Sequence, residues 1–336
     1  MYRILLDTLG LDKGYKEVVK AAYNATKKNK EVEITLVGNE EDLKEELAEY
    51  KVKYNNIKIL HAPDEISCNE IPTKAIKEKT NSSLVVAINS LKDGYDAVIS
   101  GGSTGAVLTG GFLKIGRIKG ISRPALCPTL PTINGGKVMI IDCGANVDSK
   151  PINLCHFALM GKIYMENVLG VKNPRIALLN IGEEEAKGNE LAKTTYPLLK
   201  EMPINFIGNL EARDFLSGKA DIVVSDAFSG NVLLKGTEGA VSIVLKKLKT
   251  EIKNSVSSKI GALFMRKTFK KMKNDLSIEA QGGSILLGLK NILIKVHGAC
   301  THKAIEVAIK QACSLKENNV INKLEDEFSK LTLDVE

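Results

Sequence analysis

Four polar runs and one histidine carry the residues of this 336-residue chain whose types and spacing suit chemistry. The first is Gly101-Gly102-Ser103-Thr104-Gly105, between an aliphatic run and a stretch rich in small residues. Glycines let a backbone approach an anion closely, and a helix start offers unpaired N–H groups to it. Gly102, Ser103, Thr104 and Gly105 are therefore candidate anion ligands, although such a turn can equally be only a tight connection. Neither the GxGxxG spacing of dinucleotide sites nor the GxxxxGK[ST] of nucleotide triphosphate sites occurs here, which favours a small anion such as phosphate. The second run is Asp142-Cys143-Gly144-Ala145-Asn146-Val147-Asp148-Ser149-Lys150-Pro151. Asp148 or Ser149 can cap a helix beginning at Pro151, which leaves Asn146 and Lys150 as polar groups at a helix mouth. The third, Asn180-Ile181-Gly182-Glu183-Glu184-Glu185-Ala186-Lys187-Gly188-Asn189-Glu190, places three carboxylates where a helix macrodipole favours them. Gly182, Gly188 and Asn189 are poor helix formers, so local stability alone does not account for the run. The fourth, Asp226 to Lys235, sets Asn231 and Lys235 four apart on one helix face, and His297-Gly298 follows a further aliphatic run.

Positioning these groups falls to an alternation of strand-like and helix-like segments. Strands are predicted at Arg3–Asp7, Glu33–Val37, Ile57–His61, Asp96–Ser100, Ala125–Leu130, Val138–Asp142, Arg175–Asn180, Ile204–Gly208, Asp221–Ser225 and Ile292–Val296. Helical spacing fills Gly14–Asn29, Glu40–Tyr50, Thr73–Lys92 and Pro151–Leu169. Strand, crossover helix, strand is the signature of a mostly parallel sheet covered on both faces, an α/β three-layer sandwich. With no internal repeat or low-complexity linker, the prediction is one domain over residues 1–336. Ligands of open α/β sheets bind at the carboxyl ends of strands, so the polar turns are expected to meet in one crevice. The alternation breaks at about residues 236–275, where Val241, Val244, Leu245, Leu248, Ile252 and Val256 form an apolar stripe. A second helical stretch with Ile260, Leu263, Phe264, Met265 and Phe269 follows, predicting a helical hairpin that projects from the sandwich.

Composition narrows the class. Trp is absent and aromatics are 5%, so aliphatic side chains must fill the core. The six cysteines form no CxxC and read as free thiols, with no disulfide framework and no zinc-ligand spacing. The net charge of +7 is concentrated in one place: residues 245–275 carry ten Lys or Arg against only Glu251 and Asp275. That segment has few interleaved aromatics and no nucleic-acid module, so nucleic acid is not an expected partner. The start, Met1 to Asp7, runs directly into a strand with no signal-peptide pattern, and no apolar run reaches bilayer length.

Several blocks then carry a resemblance. Gly144-Ala145-Asn146-Val147-Asp148-Ser149-Lys150-Pro151, the run from Leu178 to Asn189, Ile204 to Asp214, Gly230 to Lys235 and Gly282 to Gly288 resemble, in order along the chain, the bacterial phosphate acyltransferase family, PlsX. Three turns depart from that pattern: Asp7 to Asp12 has lost a glycine, Ser103 stands where the family has Asn, and His297-Gly298-Ala299-Cys300 replaces His-Gly-Ser-Ser. The resemblance implies a phosphotransacylase-like and isocitrate-dehydrogenase-like fold and the conversion of acyl-acyl-carrier-protein and inorganic phosphate into acyl phosphate for phospholipid synthesis. It also implies a homodimer, no cofactor or metal, and a cytoplasmic location with peripheral attachment to the inner membrane face.

For that chemistry a thioester is already activated, and phosphate is substantially dianionic near neutral pH because its second pKa lies near 6. The enzyme must hold the anion against the carbonyl, stabilise the oxyanion and release the thiolate. The candidate catalytic residues are Asn146, Lys187, Asn189 and His297. The candidate phosphate or substrate ligands are Gly102 to Gly105, Asp148, Lys150, Asn180, Glu183, Asn231 and Lys235. The basic arm suits an acidic carrier protein, and its tip (Ile260, Leu263, Phe264, Met265, Phe269) suits an anionic membrane surface; a stripe buried in a dimer is the plainer alternative. Rival functions are a phosphotransacylase using coenzyme A or an acylated reductase subunit, and a non-catalytic carrier- or lipid-binding regulator.

Overall fold

A computed structural model describes residues 1–50, 56–275 and 282–330. The chain runs through β1 (Tyr2–Asp7), α1 (Tyr15–Lys28), β2 (Val32–Gly38), α2 (Glu40–Ala48), β3 (Ile57–His61), α3 (Pro72–Glu78), α4 (Ser83–Ser90), β4 (Ala97–Ser100), α5 (Thr104–Gly110), β5 (Ala125–Cys127), β6 (Thr129–Pro131) and β7 (Lys137–Ile141). It continues through α6 (Pro151–Asn167), β8 (Ile176–Asn180), α7 (Glu190–Glu201), β9 (Phe206–Glu211), β10 (Ile222–Val224), α8 (Ala227–Asn254), α9 (Val256–Phe264), α10 (Arg266–Asp275), β11 (Gly283–Leu287), β12 (Ile292–Val296), α11 (His302–Glu317) and α12 (Val320–Lys330).

The strands divide between two mostly parallel sheets. The larger has the order β3-β2-β1-β4-β12-β11-β5 and the smaller β6-β7-β10-β8-β9. Only β11 in the larger and β6 in the smaller run against their neighbours. The chain passes between sheets at Pro128, which splits the single strand expected over Ala125–Leu130 into β5 and β6; proline has no N–H to give a ladder. Alternation along the strands feeds two apolar layers that continue across both sheets. Ile4, Leu6, Ile99, Ile294, Ile141 and Val224 join one, with α1, α6 and α11 packed on it. Leu5, Val98, Leu293, Ile140 and Val223 join the other, under α3, α4 and α5. Both faces of each sheet are thus covered, as long aliphatic strands require, and the expected α/β class is met.

Two helical expectations need adjustment. The segment Thr73–Lys92 is two helices, interrupted where Ser82 Oγ donates to the Lys79 carbonyl at 2.8 Å; Thr, Asn and Ser side chains compete with the helix for backbone groups. The arm begins earlier than residue 236, because Asp226 caps α8 by accepting from the Ser229 N–H at 2.8 Å. This helix is about 40 Å long at about 1.5 Å per residue, and from Asn231 onward none of its residues is buried. Short α9 and α10 follow it, and Thr268, Lys271 and Met272 of α10 share a hollow with Ile133, Arg213 and Leu216.

Candidate active site

The carboxyl ends of β7 and β10 are bound together by main-chain pairs. Asp142 N donates to Ser225 O at 3.0 Å, Ser225 N to Ile141 O at 2.8 Å, and Ala227 N to Asn146 O at 3.0 Å. The first turn of α8 lies so close that a Cβ on Gly230 would stand 2.1 Å from the Asp142 carbonyl oxygen. Asp142 itself is buried and organises its turn: Oδ1 accepts from the N–H groups of Leu126, Gly144 and Ala145 at 2.9, 3.1 and 3.1 Å. Its Oδ2 accepts from the main-chain and side-chain nitrogens of Asn146, both at 2.8 Å. Burial pushes the Asp142 carboxyl up from the ordinary range, and these donors oppose the rise.

Because α8 rises between the strand ends, the polar turns line two hollows, one on each side of its first turns, where the sequence suggested one crevice. The first, about 390 Å³, is lined by Thr104, Gly144, Asn231, Lys235, Glu238 and His297, together with Ser284 and Lys295. Asn231, Lys235 and Glu238 fall at helical spacing on one face of α8. His297 Nδ1 accepts from the Ala299 N–H at 3.1 Å, which leaves the proton of the neutral ring on Nε2. Burial raises the Glu238 carboxyl, opposed by His297 and Lys235, and burial lowers the Lys295 ammonium. Two ammonium groups and an imidazole around one carboxylate suit a small anion.

The second hollow, about 610 Å³, lies on the other flank of α8 and is predominantly apolar, with Leu154, Leu178, Leu191, Phe228 and Val232 beside Asn180 and Asn189. Both asparagines are committed to local structure. Asn180 donates from Nδ2 to the Lys187 carbonyl at 3.0 Å and accepts the Ile181 N–H at 2.8 Å. Asn189 caps α7 by accepting from Ala192 N at 2.9 Å. Gly188 between them has φ of +102°, and a Cβ there would stand 2.5 Å from Asn180 Oδ1, so the loop needs glycine at this point.

Other expected residues lie outside the first hollow. Asn146 spends its amide N–H groups on Asp142 and on the Pro124 carbonyl, 2.8 Å away. Gly102 gives its N–H to Ser100 Oγ at 3.1 Å; Ser103 and Gly105 flank Thr104 at the start of α5. Asp148, Lys150 and Lys187 are exposed, and the Lys150 N–H is satisfied by Asn153 Oδ1 at 2.7 Å. Glu183 joins Glu211 and Asp214, whose oxygens lie within 4.8 Å of one another. Lys219 reaches Glu183 at 3.4 Å and Asp214 at 2.8 Å, and Arg213 pairs with Glu211, so protein cations already engage all three carboxylates. Sequence reasoning missed Glu238, Ser284 and Lys295. A lysine inside the aliphatic run Ile292-Leu293-Ile294-Lys295-Val296 was the available signal for the last.

The fold is that of the phosphotransacylases: the phosphotransacetylase of Streptococcus pyogenes superposes with a TM-score of 0.60 at 15% identity, over 94% of each chain. In sequence, residues 2–323 match the family described as fatty acid synthesis protein. The phosphate acyltransferase of Clostridium novyi is 46% identical over 323 residues, 96% of this chain and 97% of that protein. That of Clostridium acetobutylicum is 47% identical over 329 residues, 98% and 99% of the two chains. The chain belongs to this phosphate acyltransferase family, as its motif blocks suggested, and at that level it is a transferase.

Proposed function

We propose that this chain transfers the acyl group of an acyl-[acyl carrier protein] thioester to inorganic phosphate, forming acyl phosphate for phospholipid synthesis. The observation that carries the reading is the first hollow, where groups from α8, β12 and three strand-end turns face a space fit for a small anion. Thr104, Asn231, Lys235 and His297 hold the phosphate there. A phosphate oxygen attacks the thioester carbonyl carbon, the C–S bond breaks, and the sulfur leaves with the electron pair. The proton lost by monohydrogen phosphate ends on the carrier thiol, and the Glu238 carboxyl is placed to relay it, while the His297 Nε2–H donates to the bound anion. Fixed donors around the developing oxyanion supply the rate.

Residues 1–336 act as one unit, which the apolar layers shared by both sheets support. The arm serves a homodimer along α8, where Val241, Leu245, Leu248 and Ile252 form a half-buried stripe. Its tip serves an anionic membrane surface at the inner face: Leu263 and Phe264 are 69% and 85% exposed beside the lysines, with Ile260 and Met265 also exposed and Phe269 half-buried. Among the described residues no helix is long and apolar enough to cross a membrane.

Two assays test this. With equal acyl chains, the acyl-carrier-protein donor should turn over faster than the coenzyme A donor; preference for coenzyme A would replace the carrier assignment. Vesicle flotation should show Leu263→Glu losing the lipid-bound fraction, and an unchanged fraction would remove the membrane role from the tip.

A further inference from the structure

A row of polar side chains crosses the larger sheet at its carboxyl edge. The register aligns Asp7 of β1 with Ser100 of β4, Ser100 with Lys295 of β12, and Lys295 with Ser284 of β11. Aligned residues on neighbouring strands share a face. Two residues away on the same face the strands carry Leu5, Val98, Leu293 and Leu286, all in one apolar cluster. The row is therefore a polar break in an aliphatic surface, and such a break is costly to bury unless its members are satisfied.

The inner half is satisfied within the protein. Asp7 is buried and accepts from Ser83 Oγ and Ser100 Oγ, both at 2.6 Å, and from Leu9 N at 3.2 Å. The outer half is not closed in the same way. Lys295 Nζ donates to Gly101 O at 3.1 Å and to its neighbour's carbonyl, Val296 O. An ammonium has three N–H groups, so one remains, and both Lys295 and Ser284 line the first hollow. Asp7, the charge of opposite sign in the row, is separated from Lys295 by Ser100, and its oxygens are occupied by the three donors above. Burial depresses the Lys295 ammonium; an anion in the hollow would offset that cost.

We infer that Lys295 and Ser284 are ligands of the phosphate acceptor, with Asp7 and Ser100 as the inner support that fixes the row. This rests on the acyl-to-phosphate reading above. The plainer alternative makes Lys295 a tie for the Gly101 carbonyl alone. The two differ in which substrate suffers. A ligand for phosphate affects phosphate binding and leaves recognition of the acyl donor intact, whereas a structural tie perturbs both or neither.

Inorganic phosphate is titrated calorimetrically into the full-length protein without an acyl donor, and KM is then measured separately for phosphate and for the thioester. Lys295→Met should weaken phosphate roughly 10- to 100-fold, the span expected for loss of a charge-assisted hydrogen bond, with KM for the donor unchanged. Ser284→Ala, which removes only a hydroxyl, should weaken phosphate several-fold in the same assays. Unaltered phosphate affinity in Lys295→Met, or equal losses for both substrates, overturns the assignment while leaving acyl transfer standing. If Lys295→Met does not fold, Ser284→Ala decides alone, and wild-type affinity there overturns the assignment. Should the unaltered protein make no acyl phosphate and bind no phosphate, the functional reading fails with it.

Discussion

His156 should make the protein's stability depend on pH well above the carboxylate range. The side chain lies on α6 at 1% exposure, edge-on to the Phe328 ring at 5.1 Å. Its Nδ1 accepts from the Ser122 N–H at 3.2 Å and lies 2.9 Å from Ser122 Oγ, so a proton on Nδ1 would face a donor. Burial lowers the imidazole from 6.5 to about 4. The unfolded chain therefore takes up this proton at a higher pH than the folded one. The contribution to stability is complete above about pH 6.5 and is lost progressively as pH falls toward 4. At about 1.36 kcal/mol per pH unit, the loss reaches about 2.5 kcal/mol at pH 4.5. Urea unfolding at fixed ionic strength, at pH 7 and pH 4.5, measures it against His156→Asn, which keeps an acceptor near Ser122 but does not titrate. Acidic groups common to both proteins cancel in the difference. The variant should be less stable at pH 7, and the gap should narrow by about 2.5 kcal/mol at pH 4.5. A gap that stays constant would refute the placement of a neutral, buried imidazole.

Three further outcomes follow from the same contacts. Asp142→Ala leaves five N–H bonds without their acceptor, and unfolding should show a loss of about 3–5 kcal/mol. Gly188→Ala meets both a positive φ and Asn180 Oδ1, and should cost more than about 1 kcal/mol in the same measurement. Lys58, at 2.8 Å, and Arg3, at 3.3 Å, hold the Glu33 carboxyl below its ordinary value of 4.5, although burial opposes them. Glu33→Gln should therefore be less stable than the natural protein above about pH 5, with the difference closing as pH falls below 4.5.

What the sequence revealed depended on how local the signal was. Ile57–His61 and Ile292–Val296 are strands with the predicted bounds, because short aliphatic runs interrupted by only one lysine leave little else to form. The division into two sheets was not legible, since sheet partners are chosen by contacts distant in sequence, as when Asp7 meets Ser100. Strand β11 escaped notice because glycines open and close it. At the site, the polar turns were legible but the local hydrogen-bond partners of their side chains were not. Asn146, Asn180 and Asn189 look alike as loop asparagines; only coordinates reveal that each already has backbone partners. Glu238 was hidden because, in sequence, it is one more helical carboxylate, and it becomes a site residue only through the approach of α8 to the strand ends.

The central claim is that one hollow beside α8 holds a phosphate and delivers it to a thioester. The most direct measurement mixes the purified protein with an acyl-carrier-protein thioester and phosphate, following free thiol and trapping acyl phosphate with hydroxylamine. The account predicts thiol release that requires phosphate, matched one for one by acyl hydroxamate and reduced by Lys235→Ala. Thiol release indifferent to phosphate, or appearing without acyl phosphate, would contradict it.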